Sequence, residues 1–284
     1  MKTNEELRQQ IRADYAGIAT NNTGCCAGAC GVTESIDPTE LAQRIGYTRE
    51  ELEALPTDAN MGLSCGNPTV IAALKQGETI LDLGSGGGFD IFLAGPKVGA
   101  TGRAIGIDMT PQMIDKARAN INHYHTTTGL TNVEFRLGEI EHLPVADNSV
   151  DVIISNCVLN LSMDKQQVWN EISRVLKPGG RVAISDIALL CQVPEEVQSI
   201  LEAWAGCVAG AIPIEQMRQQ MVNAGMADIS LTPKPHYVNA LTAANDPLYA
   251  KVTALLPDGQ TAEDVITSLD ILANKSCGCG PNCC

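Results

Sequence analysis

Aromatic residues, basic residues and long apolar runs are all scarce in this chain. Phe, Trp and Tyr together make up 4% of its 284 residues, which leaves few rings on which single-stranded bases could stack. The formal net charge is -14, and the lysines and arginines form no cluster in the sequence that would attract a phosphate backbone. We therefore expect no nucleic-acid partner.

No stretch approaches the roughly 18 consecutive apolar residues that a membrane span needs, and the first residues lack the apolar core of a secretion signal. The sequence therefore predicts a cytoplasmic protein without a membrane partner. Cysteine, by contrast, is abundant, with 11 residues. In a reducing compartment, cysteines are used for ligation or redox chemistry more often than for structural disulfides.

Helix-capping patterns dominate the first part of the chain. Thr3, Asp37 and Thr48 each stand three residues before a Glu, and Asn67 precedes Pro68, so each predicts a helix start, the last helix ending near Gly77. The glycine-rich stretch 24–30 contains Cys25, Cys26 and Cys30 and predicts a loop.

From residue 79 the pattern changes to short apolar runs that alternate with helical stretches, which is typical of a parallel sheet with crossover helices. The predicted strands are Thr79 to Leu83, Arg103 to Asp108, Asn132 to Leu137, Val150 to Asn156 and Arg181 to Ile187. Helices are predicted around 197–205 and 214–223, followed by an α+β portion that ends in a cysteine-rich tail.

A glycine-rich turn follows the first of these strands. Gly84, Ser85, Gly86 and Gly88 lie in it, and glycines there let the backbone approach a ligand at the carboxyl end of the strand. The second strand ends in Asp108, whose carboxylate can accept hydrogen bonds from both hydroxyls of a ribose. Together the two features predict a cofactor that contains adenosine.

The details favour S-adenosylmethionine over a dinucleotide. Phe89 stands where the dinucleotide fingerprint has its third glycine, and Asp82 provides the acidic residue before the turn that suits a cofactor with a cationic amino-acid end. The segment 138–141, after the third strand, suits an adenine edge. The residues predicted to bind S-adenosylmethionine are Asp82, Gly84, Ser85, Gly86, Gly88, Asp108, Met109, Glu139, Ile140, Glu141 and Asn156.

The predicted fold class is therefore α/β, with a Rossmann-like class I methyltransferase core and helical N-terminal and α+β C-terminal additions. We expect a helical N-terminal region with its cysteine loop at 1–76 and the cofactor-binding core at 77–190. A C-terminal substrate-binding region with the cysteine-rich tail is expected at 191–284.

Three cysteines lie in segments that could border the cofactor pocket. Cys157 comes directly after the fourth strand, at the sheet edge that faces the ligand crevice in open α/β folds. Cys65 precedes the core in a Cys-Gly-Asn-Pro segment, and Cys207 follows the fifth strand. Cys191, after an apolar run, is expected to be a small packed residue.

These segments, with the glycine-rich turn, resemble the bacterial arsenite S-adenosylmethionine methyltransferases from about residue 12 to about residue 211. The resemblance implies methylation of trivalent arsenic, presented as a thiol complex, in arsenic detoxification. It implies that Cys157 and Cys207 hold the arsenic, and that Cys65 adds a third thiol or forms a disulfide during turnover. It also implies one N-terminal cysteine of function among Cys25, Cys26 and Cys30.

The chemistry of the acceptor agrees with the resemblance. Trivalent arsenic is soft and favours thiolate ligands, and its lone pair can attack a methyl group without prior removal of a proton. Methylation of a hydroxyl or amine usually needs a general base, and none is obvious in the sequence. Small thiols such as glutathione, or a thioredoxin-like reductant, would reset any disulfide formed. A methyltransferase for an ordinary C, N or O acceptor and a non-catalytic metalloid-binding protein stay open as alternatives.

Overall fold

The computed structural model describes residues 3–21, 37–56, 59–196, 210–234 and 247–277. Several sequence predictions lie outside these ranges: the cysteine loop at 24–30, the helix at 197–205, Cys207, and the tail beyond Cys277. Within the described residues, no helix is both long enough and apolar enough to cross a membrane.

Short helices form the N-terminal region, and they start where the capping patterns predict. They are α1 (Asn4–Asn21), α2 (Pro38–Arg44), α3 (Arg49–Glu53) and α4 (Pro68–Ile71). Thr48 and Glu51 form the reciprocal capping box at the start of α3. The prediction that α4 ends near Gly77 is wrong, because Ala73 adopts a left-handed backbone conformation, φ 45°, directly after the last turn.

The core then alternates strands and helices. Its elements are β1 (Thr79–Leu83), α5 (Phe89–Val98), β2 (Arg103–Asp108), α6 (Pro111–Ala119), α7 (Ile121–Thr128), β3 (Val133–Leu137), β4 (Val150–Asn156), a 3-10 turn (Leu159–Leu161), α8 (Lys165–Val175) and β5 (Leu176–Leu189). After them come α9 (Ile214–Asn223), β6 (Met226–Lys234), α10 (Pro247–Ala254), a 3-10 turn (Ala262–Asp264) and β7 (Ile266–Lys275).

One seven-stranded sheet, in the order β3-β2-β1-β4-β5-β7-β6, organises the molecule. The first five strands in this order are parallel, so their carboxyl ends meet at one edge. The predicted bounds of β1, β2 and β4 are confirmed, and β3 begins one residue later than predicted. The predicted bounds of β5 are wrong: it is longer at both ends, because Leu176 pairs with Val150 and Leu189 pairs with Ile266 of β7.

The C-terminal strands extend the sheet of the core. β7 runs antiparallel to β5 and brings Asp270 opposite Ser185, and β6 forms the edge. The α/β fold class is thus confirmed, while the domain boundaries after residues 76 and 190 stay a prediction.

Apolar side chains cover both faces of the sheet. Trp169 and Ile172 of α8 pack on one face together with Met221 of α9, and all three are buried. Ile91 and Phe92 of α5 pack on the other. The burial of both faces explains why the central strands β1 and β4 are largely apolar, and it leaves the carboxyl edge of the sheet as the place for a ligand.

Candidate functional site

A cavity of about 810 Å³ opens at the carboxyl ends of the parallel strands. This volume includes space that is open to solvent. Of the predicted cofactor residues, those that line it are Gly84, Gly86, Asp108, Met109, Ile140, Glu141 and Asn156. Arg8 and Tyr15 of α1 complete the wall, so the N-terminal helix covers part of the site.

The glycine-rich turn bends through conformations that favour glycine. Gly84, Gly86 and Gly88 have φ values of 70°, 51° and 92°. A Cβ at Gly88 would lie 2.7 Å from ring atoms of Phe135 and Phe92, so Gly88 allows the turn to pack on the core. The Ser85 hydroxyl is buried and has no hydrogen-bond partner within the described ranges, which leaves it available to a ligand.

Asp108 joins the turn to the end of β2. Its carboxylate accepts hydrogen bonds from the backbone N–H of Gly86 at 3.0 Å and of Thr110 at 2.8 Å. Burial raises the pKa of Asp108, and these two backbone donors oppose the rise. The carboxylate also borders the cavity, where its remaining lone pairs can accept hydrogen bonds from the hydroxyl groups of a ligand.

A neighbouring cleft of about 440 Å³ holds two more buried carboxyl groups. Asp82, at the end of β1, and Asp90, in the first turn of α5, both line it. Burial raises the pKa of Asp82 well above its usual range, and the charges of Asp90 and Asp108 raise it further. A cation placed between these carboxylates would relieve their repulsion, so the cleft suits an ammonium group.

The residues of the segment after β3 contact either the cavity or α1. Ile140 and Glu141 line the cavity, and Glu141 accepts a hydrogen bond from the Ser162 hydroxyl at 2.6 Å. Glu139, by contrast, lies 3.0 Å from the guanidinium of Arg12. The structure thus places Glu139 in contact with the covering helix.

Cys157 lines the same cavity and is joined to Cys65 by a disulfide, with the two Cα atoms 6.1 Å apart. Cys157 adopts a left-handed backbone conformation, φ 58°, which costs a non-glycine residue about 1 kcal/mol or more. Its N–H donates to the carbonyl of Ser185 on β5 at 2.9 Å, which fixes this turn at the strand end. Cys65 is 2% exposed, and its N–H donates to Asn156 Oδ1 at 2.9 Å.

Cys207 lies outside the described residues, and the chain is described again from Gly210. A Cβ at Gly210 would collide with the carbonyl oxygen of Asn160, so Gly210 packs directly against the turn that follows Cys157. The Asn160 side-chain oxygen is buried without a hydrogen-bond partner in the part of the chain that the structure describes. Gly210, three positions after Cys207 in the sequence, thus lies against the turn that follows Cys157.

Asp186 is a functional candidate that the sequence reasoning missed. Its carboxylate accepts hydrogen bonds from the N–H of Leu159 at 2.9 Å, the amide of Asn160 at 3.0 Å and the N–H of Ile187 at 2.8 Å. Burial raises the pKa of Asp186 to about 6. It holds the turn that carries Cys157, and the available signal was a charged residue inside an otherwise apolar strand.

Cys191 was expected to be a packed residue, and that prediction is wrong, because Cys191 is exposed.

Tyr47 is a second residue that the sequence did not indicate. The Tyr47 hydroxyl donates to Asp90 Oδ1 at 2.7 Å from a loop of the N-terminal region. A tyrosine between two predicted helices gives no sequence signal of such a contact, because the partner is 43 positions away.

A family model described as a methyltransferase domain matches residues 74–239. An arsenite methyltransferase of Halobacterium salinarum is 48% identical over 238 residues, which cover 81% of this chain and 60% of that protein. The human arsenite methyltransferase is 32% identical over 73% of this chain and 54% of its own length. This chain therefore spans little more than half the length of these relatives.

Among solved structures, an arsenic (III) S-adenosylmethionine methyltransferase from Chlamydomonas reinhardtii is similar to this chain with a TM-score of 0.59 and 27% identity. The match covers 86% of this chain and 74% of that one. A phosphoethanolamine N-methyltransferase of Haemonchus contortus with bound S-adenosyl-L-methionine also reaches a TM-score of 0.59, but at 19% identity it supports the fold alone.

Proposed function

This chain belongs to the methyltransferase-domain family, and from that premise we propose that it transfers the methyl group of S-adenosylmethionine to trivalent arsenic held by cysteine thiolates. The observation that carries the proposal is the position of Cys157, which lines the same cavity as Gly84, Gly86 and Asp108. The proposed thiol ligand and the predicted cofactor residues therefore line one cavity at the edge of the sheet.

The buried polar groups fit S-adenosylmethionine. Asp108 would accept the ribose hydroxyls, since its carboxylate borders the cavity. Asp82 and Asp90 would face the ammonium of the amino-acid end, and the buried Ser85 hydroxyl would donate to or accept from the cofactor. When bound, S-adenosylmethionine supplies an electrophilic methyl group on a sulfonium sulfur.

The thiols would hold the arsenic. Cys65 and Cys157 lie within bonding distance of each other, as their disulfide requires, so both can ligate one soft atom once they are reduced. Cys207 is the further ligand that we propose, because Gly210, three positions later in the sequence, lies against Asn160 in the turn after Cys157. Arsenic ligated by thiolates keeps its lone pair, and no proton has to be removed from it. The protein then acts by holding both reactants at attack distance.

The disulfide sets a requirement for a reductant. Conversion of the Cys65–Cys157 disulfide to two thiols consumes two electrons and two protons, which two thiols of a donor supply as they form their own disulfide. We propose glutathione or a thioredoxin-like protein in this role. Arsenic detoxification is the proposed physiological outcome.

The proposal is tested by incubating the protein with methyl-labelled S-adenosylmethionine, arsenite and glutathione, and separating the arsenic species by chromatography. Label in methylated arsenic is the expected result. Arsenite binding without consumption of the cofactor would instead indicate a sequestering protein. Cofactor consumption that does not depend on arsenite would indicate an ordinary acceptor.

A further inference from the structure

A buried phenol from the N-terminal region reaches the carboxylate cleft of the cofactor site. Tyr47 lies between α2 and α3, is 3% exposed and donates its hydroxyl proton to Asp90 Oδ1 at 2.7 Å. Its ring packs edge-to-face on Phe89, with the ring centroids 4.8 Å apart. Packing on Phe89 thus fixes the ring, and the hydrogen bond to Asp90 fixes the hydroxyl.

The same oxygen touches the turn that carries Cys65. The carbonyl of Gly66 lies 3.3 Å from the Tyr47 oxygen, but it also accepts a hydrogen bond from Asn156 Nδ2 at 2.7 Å. A phenol has one proton, and the shorter contact with the carboxylate takes it, because hydrogen bonds to ionised acceptors are the stronger ones. Asn156 also contacts Cys65 itself, since its Oδ1 accepts a hydrogen bond from the N–H of Cys65 at 2.9 Å.

Few other groups compensate the charge of Asp90. Burial raises the pKa of this carboxyl, and the hydrogen bonds from Tyr47 and Asn156 lower it again. Lys97 also lowers it, but Lys97 is paired with Glu51 at 2.9 Å, and Glu51 acts in the opposite direction. The Asp82 carboxyl lines the same cleft. Tyr47 is therefore a principal donor that favours the ionised form of Asp90.

We propose that Tyr47 is a positioning residue for the methyl donor: its hydroxyl holds Asp90 ionised and correctly oriented for the ammonium of S-adenosylmethionine. This inference rests on the proposed function, since it assumes that S-adenosylmethionine occupies the cleft. Tyr47 itself does not touch the reacting atoms. Asn156, whose Nδ2 donates to the Tyr47 oxygen and to the Gly66 carbonyl, provides a physical link between the donor pocket and the Cys65 turn.

Calorimetric titration with S-adenosylmethionine, in the absence of arsenic, tests the inference on the full chain. Tyr47→Phe keeps the ring and should weaken binding by about two- to tenfold at neutral pH, because loss of a donor to the charged form leaves a smaller fraction of Asp90 ionised. Loss of this donor raises the pKa of Asp90, so the acidic limb of the affinity–pH profile should shift to higher pH. An unchanged affinity and an unchanged profile would overturn the inference.

Tyr124→Phe is the matched control. Tyr124 is also 3% exposed and donates its hydroxyl proton to Asn132 at 2.6 Å, but it lines neither the cavity nor the carboxylate cleft. We expect this variant to lose thermal stability and to keep the affinity and pH profile of the wild type. A shift as large as that of Tyr47→Phe would contradict a specific role for Tyr47.

A double-mutant cycle with Asp90→Asn separates positioning from packing. If Tyr47 acts through the Asp90 carboxylate, Tyr47→Phe should have little further effect on affinity in the Asp90→Asn background. An undiminished effect would assign Tyr47 a packing role and overturn the inference. Wild-type protein that does not bind S-adenosylmethionine at all would refute the proposed function, whereas equal binding by wild type and Tyr47→Phe would refute only the inference.

Discussion

Substitution of Asp82 by Asn should weaken cofactor binding and at the same time stabilise the free protein. Asp82 is 3% exposed at the end of β1 and lines the carboxylate cleft. Its pKa is raised well above the usual range by burial, and then by the charges of Asp90 and Asp108. The carboxylate is therefore unfavourable in the free protein and becomes favourable when a cation binds.

The size of both effects follows from the electrostatics of a buried site. An ammonium about 4 Å from a carboxylate interacts by about 4 kcal/mol at an effective dielectric constant of about 20. Allowing for partial desolvation of the pair, we expect Asp82→Asn to lose about 2–4 kcal/mol of binding free energy, roughly 30- to 1000-fold in Kd. Removal of one of three buried carboxylates should raise the stability of the free protein by about 1 kcal/mol, or about 2 °C in Tm.

Calorimetric titration with S-adenosylmethionine and thermal unfolding of the free protein measure the two quantities. Both should be recorded at about pH 8, where more of the Asp82 carboxyl is ionised than at neutral pH. Asn has nearly the volume of Asp, so a change of packing is small. A variant that is less stable and binds the cofactor normally would refute the assignment of this cleft to the ammonium group.

Two further predictions concern the turn after Cys157 and the C-terminal tail. Asp186→Asn cannot accept all three donors and should destabilise the protein by about 1–2 kcal/mol in urea unfolding at neutral pH. Because the folded protein raises the pKa of Asp186 to about 6, protonation stabilises the wild type as the pH falls. The difference in free energy of unfolding between the wild type and Asp186→Asn should therefore grow by about 2–3 kcal/mol from about pH 7 to pH 4. A difference that does not change with pH would contradict the raised pKa of Asp186. Replacement of the tail cysteines Cys277, Cys279, Cys283 and Cys284 by Ser should leave turnover at saturating arsenite unchanged, because Cys277 lies beside Gly179 at the opposite end of β5. If the tail collects substrate, the rate at limiting arsenite should fall, and an unchanged rate there would remove that role.

Local patterns in the sequence predicted the parts of the fold that local interactions determine. The bounds of β1, β2 and β4 follow from short apolar runs between glycines and polar turns, and the helix starts follow from side-chain caps. The pairing of β7 with β5 did not follow, because it joins residues such as Ser185 and Asp270 that are far apart in the chain. Periodicity indicates that a strand exists but does not identify its neighbour.

The candidate site shows the same division. The glycine-rich turn and Asp108 could be predicted as cofactor residues because a strand, a turn and a strand end follow one another in a known order. The choice between a third thiol and a disulfide for Cys65 stayed open, since the sequence gives no distance to Cys157, 92 positions away. Tyr47 and Asp186 act through contacts with other elements, and such contacts appear only in three dimensions.

The turn at Cys157 adds a constraint that only the backbone reveals. A left-handed conformation at a non-glycine residue is unfavourable, and here its N–H donates to β5 while the next residues are held by Asp186. Such strain is often retained where a side chain has to point into a site. In this chain the residue that adopts it borders the cavity at the sheet edge and is bonded to Cys65.

The most direct test of the account compares Cys157→Ser with Cys277→Ser in the arsenite assay with methyl-labelled S-adenosylmethionine. Cys157 borders the cavity, whereas Cys277 is exposed at the far end of β5. We predict that Cys157→Ser binds the cofactor normally but forms no methylated arsenic, and that Cys277→Ser retains wild-type turnover at saturating arsenite. Methylated arsenic produced at the wild-type rate by Cys157→Ser would contradict the claim that this thiol holds the arsenic.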